Sequence, residues 1–210
     1  METVTLISMK RFHDDVMAFH NAMNLPVGEG MKSPEVRDLR CTLIDEEAKE
    51  TSENGFKEKN WEQVIDGLCD LMYVTIGAAI SFGVGIYKFV PTLPPPGPPH
   101  PPFWNADGAA GALIGAARLS VVGIHSGNFF SAVAGLSGLV STIGYLTTYY
   151  GIPLEEFWVE VQRANMDKVG GPIRADGKRL KPPGWRGPDH LPLILKHWPG
   201  RDDLLVSDAG

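Results

Sequence analysis

Apolar and polar residues recur at helical spacing along most of the chain. Phe12, Val16, Phe19 and Met23 lie three or four apart within residues 9–23 and predict an amphipathic helix. After loop residues 24–30, Ser33-Pro34 pairs a capping hydroxyl with proline at a first helical position. That helix is expected to run to about Thr51 and to break at Asn54-Gly55. Asn60 with Gln63 forms a capping box, opening a helix expected to reach about Gly83. Residues 108–150 predict two helices broken near Ser126-Gly127-Asn128. A last helix starts at Pro153, with Glu155 and Glu156 where the helix dipole favours them, and ends near Val169-Gly170-Gly171. No stretch alternates with a period of two. The fold class is therefore all-α: a helical bundle expected as a single domain over 1–210, with an insertion at 88–134 and a basic tail or arm at 170–210.

Composition changes this picture in three places. The proline-dense stretch 92–102 blocks helix and sheet and predicts a stiff connector. The net charge of −6 argues against binding a nucleic acid polymer, which needs a positive surface. Cys41 and Cys69 are too few for a disulfide framework, and Met1-Glu2-Thr3-Val4 lacks the basic start of a signal peptide, so a cytoplasmic location is expected. Between Arg118 and Glu155 no Asp, Glu, Lys or Arg occurs, a run long enough to span a bilayer. Ser120, His125, Asn128, Ser131, Ser141 and Thr142 interrupt it, and no basic cluster flanks it. The expectation is no membrane. Small residues such as Gly135, Ser137 and Gly138 suit close helix packing in a soluble oligomer instead.

Candidate chemistry sits on two helices. With Glu46 at zero on a helical wheel, Glu50 falls at about 40° and Glu47 at about 100°. Leu39, Leu43 and Val36 come at about 20°, 60° and 80°, so the three glutamates continue an apolar stripe expected to face the core. Asp66 and Asp70, one turn apart, sit in a helix that is apolar nearly all round. Buried carboxylates need pairing or neutralisation. Five of them, Glu46, Glu47, Glu50, Asp66 and Asp70, predict a site for hard divalent cations, Mg²⁺ or Mn²⁺, with room for two or three ions. Such clusters serve displacement at phosphorus. Residues 163–186 carry a local charge of +5 against −11 for the rest of the chain. Together these predict a polyphosphate substrate held between metal ions and cationic side chains. Trp185 and Pro182-Pro183 favour a docked arm over a loose tail.

The pattern Glu46-Glu47-Ala48-Lys49-Glu50, sixteen residues before an Asp66…Asp70 pair, resembles the all-α nucleoside triphosphate pyrophosphohydrolases, the MazG-like and phosphoribosyl-ATP pyrophosphohydrolase-like superfamily. Phe19-His20, Arg40…Leu43-Ile44, Tyr73-Val74 and Phe82-Gly83-Val84 agree with it. Ala164-Asn165-Met166-Asp167-Lys168 and Asp176-Gly177-Lys178…Lys181-Pro182-Pro183 resemble the C-terminal signature of phage and bacterial members. The resemblance implies hydrolysis of a nucleoside triphosphate to monophosphate and diphosphate with Mg²⁺ or Mn²⁺. It also implies metal roles for Glu46, Glu47, Glu50 and Asp70. Asp66 departs from the usual spacing of three, though four residues still reach the same face. Asn165 and Lys168 would contact phosphate or sugar, with Lys178 and Lys181 behind them; His20 and Arg40 complete the substrate-binding candidates. A homodimer or homotetramer is implied, in the host cytoplasm for a phage-encoded member.

Glu47, at the edge of the stripe, is the candidate general base. For the nucleobase, Trp61, Trp104, Phe129, Phe130, Trp158 and Trp185 are candidate stacking surfaces, each also a candidate core residue. Resemblance to phage members acting on deoxyguanosine triphosphate favours a purine, guanine in particular, with dUTP or dCTP clearance the near rival. A non-catalytic, metal-binding helical scaffold is the alternative from another class.

Overall fold

The computed structural model describes residues 6–97 and 105–199. Seven α-helices carry the described chain: α1 (Met9–Ala22), α2 (Pro34–Glu50), α3 (Trp61–Ser81), α4 (Ala106–His125), α5 (Phe129–Tyr150), α6 (Leu154–Met166) and α7 (Leu191–His197). The fold is all-α. A two-stranded antiparallel ribbon, β1 (Ile7–Ser8) against β2 (Thr92–Leu93), only ties the chain start to the segment after α3.

Local signals act as expected at the helix starts. Ser33 Oγ accepts from the Val36 N–H at 3.2 Å, with Pro34 behind it. Asn60 Oδ1 accepts from the Gln63 N–H at 3.1 Å and opens α3. Asn128 does the same for α5 through Ser131. Gly83 and Gly151, both at positive φ, stand just beyond the ends of α3 and α5.

Four expectations fail. Asn54-Gly55 does not break the chain: α2 runs on into a wide π-helical segment, Thr51–Lys57. Gly55 is needed there for contact, because a Cβ would lie 3.0 Å from Val64 Cγ2 and 3.1 Å from its backbone nitrogen. The tail is not without helix, since α7 packs Ile194 and Trp198 into the core. The helix after Pro153 ends at Met166, short of Val169. The proline-rich stretch 92–102 does not exclude sheet at its start, since Thr92-Leu93 pair with β1 before the first proline of the run, while 98–102 lie outside the described residues.

Helix α3 is the central element. Trp61, Val64, Ile65, Leu68, Cys69, Leu71, Met72, Ile76 and Ile80 are all buried, and α1, α2, α5 and α6 pack around it. Helices α4 and α5 form an antiparallel hairpin in close contact, laid against α2, the π-helical segment and α3. Small residues make the approach possible: a Cβ on Gly123 would stand 2.4 Å from the Ser131 carbonyl oxygen, and one on Gly135 2.6 Å from Ser120 Cα. Helices α3, α4 and α5 are each long and apolar enough to cross a membrane. Within this fold α3 is enclosed, whereas the outer face of the hairpin exposes Leu119, Val122, Phe130 and Tyr145.

Candidate active site

A cleft opens where α1, α2 and α3 meet the end of α6 and the arm that follows it. Val16, Phe19, His20, Leu39, Arg40, Leu43, Glu47, Asp70, Tyr73, Val74, Gly77, Asn165, Lys168, Gly177, Lys178 and Arg179 line it, with Leu25 at one edge. Helical spacing explains the arrangement. Arg40, Leu43 and Glu47 step along one face of α2, and Asp70, Tyr73, Val74 and Gly77 step along the facing side of α3. Both helices therefore give the cleft a carboxylate at one end and a different surface two turns away.

Of the apolar stripe of α2, Leu39 and Leu43 line this cleft, whereas Val36 packs against the core. Cys41, Ile44 and Ala48 pack into the core cluster, while Leu43, also buried, and the more exposed Leu39 form the cleft wall. Of the three glutamates, Glu47 turns inward with 16% of its side chain exposed. Glu46 is half-buried and Glu50 lies on the exposed side. The expectation that all three face the core is corrected accordingly: Leu39 and Leu43, used to orient the wheel, belong to a cleft wall.

Burial raises the pKa of Glu47 to about 7, and Asp70 and Glu50 push in the same direction against Lys178 and Lys168. Asp70 is raised as well, first by burial and then by Asp66. Among the described residues neither carboxylate has a cation within hydrogen-bond distance; Lys178 Nζ stands 3.8 Å from Glu47 Oε1. Lys168 is itself lowered by burial, with Asp70 acting against that shift.

The remaining acids have protein partners. Glu46 accepts from Lys178 Nζ at 2.7 Å and from Arg174 Nη2 at 3.1 Å. Burial opposes its ionisation, but these two cations outweigh that and lower its pKa. Asp66 Oδ1 lies 3.0 Å from Nε2 of the buried His190, just before α7. Asp66 thus faces the C-terminal segment, away from the lining of the cleft. No three His, Cys, Asp or Glu side chains among the described residues form a ready-made metal cage. The donors that face the cleft, Glu47 and Asp70, are nevertheless hard oxygen ligands that repel one another while buried, which fits Mg²⁺ or Mn²⁺.

The arm is docked. Ile173 and Arg179 pair across a tight turn, with Arg174 N donating to the Lys178 carbonyl at 2.8 Å. Gly177 takes φ +96 at its tip, against Leu39. Trp185 Nε1 donates to the Ala164 carbonyl at 2.7 Å. Lys181 Nζ stacks over the Trp185 ring at 4.3 Å and is absent from the cleft lining, so its expected substrate contact is not supported by its position. Lys168 donates to Asn165 Oδ1 at 2.7 Å, and both line the cleft with Lys178 and Arg179.

None of the five described aromatic candidates lines the cleft. Trp61 and Trp158 are core, Phe129 and Phe130 are exposed on the hairpin, Trp185 holds the arm, and Trp104 lies outside the described residues. The aromatic surfaces present are Phe19 and Tyr73, in edge contact at 5.5 Å. Their helical positions beside His20 and Asp70 were the available signal. Arg179 and His190 had none, because a tertiary turn and a short terminal helix bring them in.

Paired buried acids facing a cationic wall can accommodate phosphate groups between metal ions and ammonium or guanidinium groups. Residues 16–93, from α1 through α3 to β2, match the family model described as phosphoribosyl-ATP pyrophosphohydrolase. The match makes that region similar to this family, part of the MazG-like all-α nucleoside triphosphate pyrophosphohydrolase superfamily. Helices α4 to α7 and the arm lie beyond the match. Neither a curated protein nor a solved structure matches the chain.

Proposed function

We propose that the protein hydrolyses a (deoxy)nucleoside triphosphate to the monophosphate and diphosphate in the presence of Mg²⁺ or Mn²⁺, with dGTP or GTP as the favoured substrate. The observation that carries this is the cleft itself, where Glu47 and Asp70 on one wall oppose Lys168, Lys178 and Arg179 on the other. Glu47 and Asp70 would hold the metal, with Glu50 the nearest further carboxylate by its electrostatic influence on both. When bound, such ions offset phosphate charge and make water more acidic.

Glu47 is the side chain placed to hold a proton. A Glu47 carboxylate oxygen not taken up by a metal would accept the proton from water, the work of a general base. Lys168 and Lys178 supply ammonium groups to the departing diphosphate, and Asn165 fixes Lys168. Phe19, Leu25 and Val74 enclose an apolar end suited to a base, with the sugar between. Incubation with a panel of ribo- and deoxyribonucleoside triphosphates plus Mn²⁺ tests the reading. Diphosphate release that stops on adding EDTA is the expected result; no diphosphate from any nucleotide would leave a non-catalytic helical scaffold.

A further inference from the structure

Arg40 is buried, 5% exposed, yet no carboxylate lies within ion-pair distance of it among the described residues. A buried guanidinium without a counter-charge is costly and asks for a function. Its Nε donates to Ser81 Oγ at 3.0 Å, and Ser81 in turn donates to the Pro26 carbonyl at 3.3 Å. The Pro26 carbonyl also receives His20 Nδ1 at 3.0 Å. That bond fixes the His20 tautomer and leaves Nε2 as an acceptor, 3.5 Å from Arg40 Nη2. Each polar atom in this chain is therefore committed.

Arg40 Nη1 is the exception. It has no partner among the described residues, and a Cβ placed on Gly77 would meet it at 3.3 Å and His20 Nε2 at 3.2 Å. Gly77 thus keeps open the space in front of the guanidinium, at the cleft wall. Arg40 and Gly77 stand seven residues from Glu47 and Asp70 respectively, about 10 Å along each helix. The guanidinium is at the far end from the acids, among Val16, Phe19, Leu25 and Val74.

The ring acceptor at this end, His20 Nε2, is turned to Arg40. We propose that Arg40 selects the nucleobase by its carbonyl edge, admitting oxo bases and rejecting bases that present an exocyclic amino group there. The inference rests on the nucleotide reading of the cleft and adds a specificity residue to it. Oxo edges occur on 6-oxopurines (guanine, hypoxanthine) and on 4-oxopyrimidines (uracil, thymine). Guanine and hypoxanthine give Arg two adjacent acceptors, O6 and N7, the geometry a guanidinium fork matches. Adenine and cytosine would turn N–H groups toward N–H groups and leave both unpaired.

Two nucleotide pairs that differ in the oxo or amino group and the ring nitrogen beside it test the effect: dITP against dATP, and dUTP against dCTP. Binding to the intact wild-type protein is read by calorimetry with Ca²⁺, apart from any diphosphate release. The expected result is about 10- to 100-fold tighter binding of the oxo member of at least one pair, the purine pair if the fork is used. Arg40→Met should reduce that ratio to near one while dATP or dCTP binding stays within about threefold. Equal binding within both pairs by wild type overturns the proposal whatever the variant does, so a poorly folding variant does not shield it. A preference that survives in folded Arg40→Met also overturns it, as does binding of no nucleotide at all. Discrimination in binding without diphosphate release would instead defeat the hydrolase reading and leave this one standing.

Discussion

Lys178 Nζ donates to Glu46 Oε2 across 2.7 Å, closing the arm onto the second helix. The pair is partly exposed, 29% and 37% for the two side chains, so its contribution to stability is under about 1 kcal/mol. Lys178→Met should leave the melting temperature within a few degrees of wild type. Turnover of triphosphate should fall about tenfold or more, because an ammonium is lost from the cleft. Limited proteolysis should cut residues 170–181 faster than in wild type. A normal rate together with unchanged protection would remove Lys178 from the cleft's chemistry.

Glu47→Gln keeps the shape of the side chain and removes its charge and basicity. Loss of a general base costs about 10² to 10⁴ in rate. Diphosphate release should drop by that range, while thermal stability holds or rises, since one of two repelling buried carboxylates becomes neutral. Retained turnover would show that another group takes the proton.

His20 links stability to acid. Burial, assisted by the nearby Arg40 charge, holds its pKa down to about 4, against about 6.5 for the unfolded side chain. The neutral form is favoured in the fold, so its stabilising effect is complete above pH 6.5 and is lost as pH falls toward 4. Within that window the unfolded chain binds the extra proton, and stability should decline by about 1.4 kcal/mol per pH unit from this group. Urea denaturation between pH 7 and pH 4.5 measures the slope. His20→Gln should flatten it; an unchanged slope would assign the effect to other groups.

Two glycines on the fifth helix separate close packing from open surface. At Gly138 a Cβ meets nothing within 4 Å, and Gly138→Ala should stabilise by up to about 1 kcal/mol through helix propensity. At Gly135 it would stand 2.6 Å from Ser120 Cα, and Gly135→Ala should cost about 1–3 kcal/mol as the hairpin is pushed apart. Denaturant midpoints of the two variants should move in opposite directions.

Much of this structure was legible in the chain, and the gaps have physical reasons. Helix starts at Ser33, Asn60 and Asn128 follow from side chains that cap their own neighbours, a purely local event. The acid-bearing helices were found because charges on an apolar wheel are costly. The wheel could not tell a core face from a cleft wall, since Leu39 and Leu43 look alike in either setting. Hence Glu46 and Glu50 were read as inward when only Glu47 is. His190 against Asp66 and Arg179 at the cleft are contacts between distant segments, which no periodicity encodes. The unpaired state of Arg40 is likewise a tertiary fact: it depends on which acids fail to reach it.

The order in which the cleft is assembled follows from where its walls lie in the chain. Glu46, Glu47 and Asp70 emerge from the ribosome early, whereas Lys168, Lys178 and Arg179 come more than ninety residues later, after the entire hairpin has been made. During synthesis the acidic wall therefore stands without its cationic counterpart until the arm has been made.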